Sequence, residues 1–253
     1  MDILLAIRFD GGAIPEFFFN DLILRGVRNT VQITLLAMLI GTLLGIVLGV
    51  MRVSSNPVLA GLSGFYVWFV RGTPVLIQLL LVSNGLPQLV DSREFTLFLT
   101  PFRVALITFS MNEAAYMAEI VRGGIQAIEP GQMDAAKSLG MTNSQAMRRV
   151  ILPQALRVII PPTGNEFIAM LKNTSIAFAI GFVELANASR LIYAVNFQYM
   201  ELLVVASIWY LIMVTAFSLL QAELEARLAI VERERAVPLT TRVLRAVGRG
   251  RQR

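Results

Sequence analysis

The sequence has 253 residues, of which 56% are hydrophobic, and its mean hydropathy is +0.67. With only 22 basic and 17 acidic residues, it has too few charges to cover a soluble globule, so its composition predicts a membrane-embedded protein. Neither cysteine nor histidine occurs in the sequence. This excludes disulfides and thiolate sites and removes the usual general base and zinc ligand, so we expect no catalytic or metal site.

The N-terminal segment, residues 1–25, mixes charges with aromatic residues and is predicted to lie at the outer membrane interface. A transmembrane domain follows over residues 26–226. Its first span, about 29–50, carries no charge and is long enough to cross the hydrocarbon core. This span contains a ridge of small residues, Gly41, Gly45 and Gly49. Such a ridge permits close approach of another helix, either in the same chain or in a dimer partner.

The second span is interrupted by Arg71-Gly-Thr-Pro74, and residues 84–101 are predicted to form an outer loop. The third span, about 102–120, is polar. Its Asn112, Glu113, Tyr116 and Glu119 fall on one side of the predicted helix. Intramembrane carboxylates are costly unless they face protein or water, so this side either lines a pathway or forms a buried hydrogen-bond network, with Glu119 alternatively paired to Arg122.

Residues 129–153 form the longest polar stretch between apolar ones, yet they have helix signals. Pro130 suits a first helical turn and Gly140 suits a helix end. Thr142 and Gln145 have the spacing of a capping box that starts a second helix, which Pro153 closes or kinks. The pattern predicts two short helices joined by a glycine turn.

A fourth span, about 157–183, is predicted to be broken at Pro161-Pro162 and contains Lys172-Asn-Thr-Ser175. Such a break is tolerated only where it lines a cavity or an interface. Residues 187–200 are predicted to be a second outer loop, and a fifth span covers about 202–220. A basic tail, residues 227–253, follows, and we expect it to contact anionic lipid headgroups rather than nucleic acid.

Basic residues concentrate after the first, third and fifth spans. Because cytoplasmic loops are enriched in arginine and lysine, the N-terminus is predicted outside and the C-terminus in the cytoplasm.

Asp134-Ala-Ala136, Gly140, Val150 and Leu152-Pro153 resemble the EAA loop of bacterial ABC importer permeases, with Asp134 in place of Glu and Val150 in place of Ile. Further likeness to the polar amino acid uptake branch extends over about residues 27–222. It includes Phe69 to Pro74, which the resemblance places near the cytoplasmic end of the second span, Ala115 to Ile125 and Leu171 to Ser175.

The resemblance implies an all-α integral membrane protein of five helices with the type I importer permease fold. It also implies a multi-pass protein of the bacterial cytoplasmic membrane, paired with a second permease subunit, the same chain or a related one. The other implied partners are two ATPase subunits that carry ATP and Mg, an extracytoplasmic amino-acid-binding protein and a polar amino acid. The residues expected to contact the ATPase are Gly131, Asp134, Ala135, Ala136, Ser138, Leu139 and Gly140.

Polarity and depth place the substrate pathway at Asn112, Glu113, Tyr116, Glu119, Asn173, Thr174 and Ser175. The segment from Gly131 to Ser138 resembles a phosphate loop, but Ala136 replaces its second glycine and a helix precedes it, so no nucleotide site is expected here. The alternative function is an ion-driven secondary transporter that uses its membrane carboxylates. That reading predicts inverted repeats, which this sequence does not show.

Overall fold

The computed structural model describes residue 9, residues 11–90 and residues 92–228. Within those residues the chain is helical and has no strand, as predicted. In chain order the α-helices are α1 (Ile14–Phe18), α2 (Asp21–Arg52), α3 (Pro57–Arg71), α4 (Val75–Leu80), α5 (Leu86–Leu89), α6 (Arg93–Phe98), α7 (Pro101–Gln126), α8 (Pro130–Ser138), α9 (Asn143–Ala146), α10 (Leu152–Asn173), α11 (Leu185–Asn196) and α12 (Tyr199–Leu228).

Three helices, α2, α7 and α12, are each long and apolar enough to cross a membrane. Two bent pairs also meet that test: α3 with residues 75–89, at 97°, and residues 143–180 with α11, at 46°. When each bent pair counts as one span, the described chain has the five spans that the sequence predicts.

Among the described helices the most extensive packing joins α2 to α7, and the glycine ridge lies in that interface. A Cβ added to Gly49 would lie 2.7 Å from Val121 Cβ, and one added to Gly45 would lie 3.0 Å from Ala114 O. Packing of the ridge within this chain is therefore the correct alternative of the two that the sequence left open. Because the contacts advance together along both helices, α2 and α7 run parallel and end on the same side.

The two predicted outer loops contain helices, so the prediction of loops there is wrong. Residues 84–101 include α5 and α6, and Ser92 caps the start of α6 by accepting from Phe95 N. Residues 187–200 lie largely in α11, which Glu184 caps by accepting from the backbone N–H groups of the first turn. In both places a side-chain cap supplies the acceptors that a helix start requires.

The fourth span is continuous through Pro161 and Pro162, so the predicted break there is also wrong. Gln221 of α12 supports this turn, since its Nε2 donates to Pro161 O at 3.2 Å. The span bends later, between residue 180 and Leu185, where Gly181 has a φ of +77°.

The start of the chain packs against the last helix. Phe18 stacks on Trp209 with ring centroids 4.7 Å apart, and Trp209 Nε1 donates to Phe18 O at 3.1 Å. Helix α2 begins at Asp21, eight residues before the expected start of the first span, because Asn20 caps it by accepting from Leu22 N. The predicted basic tail lies outside the described residues beyond residue 228.

Candidate functional site

A polar cavity of about 570 Å³ lies where the break between α3 and α4 meets the middle of α7 and the end of α10. Its polar lining comes from three separate stretches of the chain, and it includes two carboxylates and one guanidinium. The lining residues are Arg71, Gly72, Thr73, Pro74, Val75, Asn112, Glu113, Tyr116, Glu166, Ala169, Met170 and Asn173.

Helix α7 forms one wall of the cavity and places Glu113 there, a residue that is only 2% exposed. The glycine ridge sets its position, since a Cβ on Gly41 would meet Glu113 Cβ at 2.5 Å. Glu113 Oε1 is buried and has no hydrogen-bond partner among the described residues. A buried polar oxygen without a partner is costly, so Glu113 has a capacity to accept a hydrogen bond that the described residues leave unused.

The opposite wall is the α3–α4 break. Arg71 ends α3, and its guanidinium carbon lies 4.9 Å from the ring centroid of Tyr116. Arg71-Gly-Thr-Pro74 lies at the bend between the two halves of the second span, rather than at an end of that span as expected. Helix α3 is only 15 residues long before the 97° bend, which leaves the break beside the middle of α7.

The cavity gathers four of the seven residues predicted for the substrate pathway: Asn112, Glu113, Tyr116 and Asn173. Thr174 is fully buried and its Oγ1 donates to Leu171 O, away from the cavity. Ser175 lines a second cavity of about 510 Å³ together with Lys172.

The remaining predicted pathway residue, Glu119, forms ion pairs outside this cavity. It lies 2.7 Å from Arg122 and 3.4 Å from Arg52, at the shared end of α7 and α2. This geometry favours the structural alternative for Glu119, namely pairing with Arg122.

Three cavity residues with polar side chains were absent from the predicted set: Arg71, Thr73 and Glu166. The sequence signal for the first two was the Gly and Pro break, which the resemblance assigned to the cytoplasmic end of the second span. Glu166 had a signal as an intramembrane carboxylate.

At the end of the molecule where α7 finishes, residues 129–153 fold into the predicted helix–turn–helix. Ala136 of α8 is buried, whereas Leu139 is 80% exposed. Gly140 ends this helix with a φ of +81°. Thr142 and Gln145 form a reciprocal capping box, with Thr142 Oγ1 accepting from Gln145 N and Gln145 Oε1 accepting from Thr142 N.

The described chain thus combines helices long enough to span a membrane, a polar cavity beside the middle of α7 and a helical hairpin where α7 ends. The family described as the inner membrane component of binding-protein-dependent transport systems matches residues 41–230, and this chain belongs to that family. The match confirms the predicted class and the location in the inner membrane.

Individual relatives agree with this family. The chain is 42% identical to the arginine transport system permease protein ArgU of Corynebacterium glutamicum, over 83% of this chain and 69% of that one. It is 32% identical to the glutamine transport system permease protein GlnP of Escherichia coli K12, over 89% of this chain and all of that one.

Among solved structures, an amino acid ABC transporter with histidines is 38% identical and superposes with a TM-score of 0.79. The match covers 87% of this chain and 99% of that one. This confirms the predicted importer permease fold. The amino acids in the descriptions of the three proteins differ, so the family does not by itself choose a substrate.

Proposed function

We propose that this chain is the permease subunit of an ATP-driven importer and that its cavity receives a cationic amino acid. The observation that carries the proposal is the charge arrangement of the cavity, in which Glu113 and Glu166 share one lining with Arg71. The proposal on substrate class therefore rests on side chains of this chain, and among the relatives the name of the arginine permease agrees with it.

A free amino acid presents a carboxylate and an ammonium group, and each needs an oppositely charged or hydrogen-bonding partner. Arg71 offers a planar donor for the carboxylate, and Glu113 offers an acceptor for the α-ammonium. Glu166 then remains without a counter-charge. A substrate with a guanidinium or ammonium side chain supplies that counter-charge, whereas a neutral side chain leaves one carboxylate unpaired in a poorly solvated site.

The exposed segment between α7 and α10 supports the proposal of an importer assembly. Leu139 and the turn at Gly140 are exposed in this segment, next to α8 and before the long helix α10. We infer that this segment contacts an ATPase subunit, which holds ATP and Mg, and that α7 and α12 finish on the cytoplasmic side. A second permease subunit and an extracytoplasmic binding protein complete the assembly.

The first experiment measures uptake into proteoliposomes that contain this chain, its ATPase and its binding protein. Radiolabelled L-arginine, L-histidine and L-glutamine are supplied with and without ATP. At pH 7 the proposal expects ATP-dependent uptake of arginine in preference to glutamine and to histidine, whose imidazole is then mostly neutral. Uptake that ignores ATP and follows an ion gradient would instead establish a secondary transporter.

Because the binding protein also selects substrate, specificity is tested on the purified permease–ATPase complex alone. L-citrulline has the shape of L-arginine without its side-chain charge. The Kd for citrulline divided by the Kd for arginine therefore measures the preference for the charged side chain. We expect Glu166→Gln to reduce this ratio about tenfold, equivalent to about 1.4 kcal/mol. Glu94→Gln in α6, outside the cavity lining, is the matched control and should leave the ratio unchanged. An unchanged ratio in Glu166→Gln would refute the cationic assignment.

A further inference from the structure

One glutamine connects the two walls of the cavity without lining it. Gln78 lies on α4, is half-buried and bonds to both sides of the α3–α4 break and to α7. We propose that Gln78 is a positioning residue, which fixes Arg71 and Thr73 relative to Asn112 and thereby sets the affinity for substrate. This inference rests on the proposed function for its affinity readout.

The break between α3 and α4 lacks one backbone hydrogen-bond donor. In a continuous helix the carbonyl of Val70 would accept from the N–H of residue 74, but residue 74 is Pro74 and has no N–H. Gln78 Nε2 donates to Val70 O at 2.7 Å instead, and Thr73 Oγ1 makes a longer contact with the same carbonyl at 3.4 Å. Since an unsatisfied carbonyl is costly where water is excluded, this side chain stabilises the break inside the helix bundle.

Gln78 also contacts Thr73, on the other side of the turn. Gln78 Nε2 also lies 3.1 Å from Thr73 O and 2.8 Å from Thr73 Oγ1. That hydroxyl donates in turn to Phe69 O at 3.1 Å. Gln78 therefore bonds to the end of α3 and to the turn that follows, and so fixes the direction in which Arg71 leaves the helix.

Gln78 also links the break to the opposite wall of the cavity. Gln78 Oε1 accepts from Asn112 Nδ2 at 3.2 Å, across a separation of 34 positions in sequence. Asn112, Arg71 and Thr73 all line the cavity, and Gln78 is absent from that lining. Its amide is thus a bridge between cavity walls.

Both ends of the amide are needed for this bridge. Glu at this position keeps an acceptor for Asn112 but loses the donor to Val70. Leu keeps the approximate volume and loses both bonds. Both variants therefore remove the donor to Val70 O, and only Gln78→Leu also removes the acceptor for Asn112.

A second glutamine provides a matched control. Gln221 on α12 also donates to a carbonyl in a proline-containing turn, that of Pro161, but it does not line this cavity or bond to a residue that does. Gln221→Leu therefore removes a similar polar group from the helix bundle while leaving both cavity walls in place.

The test compares Gln78→Leu, Gln78→Glu and Gln221→Leu in the permease–ATPase complex, first by Kd for labelled L-arginine and then by uptake kinetics. We expect Gln78→Leu to raise Kd and KM about tenfold and to change the maximum rate by less than about twofold. Gln78→Glu should raise them at least as much, because it also places an acceptor against Val70 O. Gln221→Leu should leave Kd unchanged. Equal increases in Gln78→Leu and Gln221→Leu, or a loss confined to the maximum rate, would overturn the proposal.

A substrate-independent measurement distinguishes failure of this proposal from failure of the proposed function. The chain has no native cysteine, so spin labels can be placed at Ile77→Cys and Met111→Cys, both on exposed positions. We expect one narrow distance between α4 and α7, broadened by Gln78→Leu and unaffected by Gln221→Leu. An unchanged distribution in Gln78→Leu would refute the positioning role. Absence of arginine, histidine and glutamine binding in the unaltered complex would refute the proposed function instead.

Discussion

The cavity and the segment formed by residues 129–153 obtain their shapes in opposite ways. In the segment, the decisive contacts join residues a few positions apart, such as Thr142 with Gln145, and Leu139 faces solvent. Around the cavity, by contrast, the decisive contacts join residues that are tens of positions apart in sequence. Gln78 bonds to Asn112, and Gly41 packs on Glu113. The segment is therefore a locally folded surface, whereas the cavity exists only when the helices are assembled.

This difference separates the consequences of mutation. A change in the α2–α7 interface acts on assembly, and so on the cavity with it. A change in the exposed segment leaves the bundle intact and acts only on what the segment contacts. Substitutions in the two regions should then be distinguishable by comparing stability, substrate binding and ATP-dependent uptake.

The largest effect is expected for Gly45→Leu. Its side chain would meet the backbone of α7, since a Cβ alone lies 3.0 Å from Ala114 O and 3.2 Å from Ala118 N. The helices must separate, and overpacking of this kind costs about 3 kcal/mol or more when backbone moves. We expect the purified variant to unfold at a clearly lower temperature and to lose arginine binding.

The control for that variant is Gly61→Leu on α3, where an added Cβ meets nothing within 4 Å. It should retain the thermal stability of the unaltered protein. If Gly45→Leu were as stable as Gly61→Leu, the close packing of α2 on α7 could not be what positions Glu113.

The same difference explains what the sequence could predict. Local chemistry determines the hairpin at residues 129–153, because a glycine with positive φ ends its first helix and a capping box starts its second. Both features are visible as residue types at fixed spacing. The apolar spans are equally visible, since length and hydropathy suffice.

The cavity could be predicted mainly on the side supplied by α7, and Asn173 of α10 is the one predicted lining residue from another helix. Asn112, Glu113 and Tyr116 share a helical face, so periodicity grouped them correctly. Arg71 and Glu166 come from distant elements, and their inclusion depends on where α3 bends and how α10 crosses α7. Periodicity within one segment carries no information on such crossings, which are decided by tertiary packing.

A functional effect without loss of the fold is expected for Gly140→Asp. An L-residue at a φ of +81° costs about 1–2 kcal/mol, which the bundle tolerates. The altered turn should abolish ATP-dependent uptake and leave the Kd for arginine unchanged. Gly181→Ala carries the same backbone strain away from this segment and should retain uptake. Normal uptake by Gly140→Asp would exclude this turn from ATPase contact.

A smaller effect is expected for Leu139→Asp. Exposed apolar side chains at an interface core contribute to association, so we expect the ATPase to bind about tenfold more weakly, measured by co-purification titration. Leu89→Asp is the matched control, because Leu89 is 83% exposed but lies near the start of α7, at the opposite end. Equal weakening by both variants would point to a general effect of surface charge.

The smallest effect is expected for Glu119→Gln, which lies six positions from Glu113 on the same helix. Glu119 already has two arginine partners, and a partly exposed ion pair is worth about 1 kcal/mol or less. Glu113 has a buried oxygen without a partner, so Glu113→Gln should weaken arginine binding about tenfold while Glu119→Gln leaves it unchanged. Equal weakening by the two variants would extend the substrate pathway to the end of α7. A difference between them would confine it to the cavity.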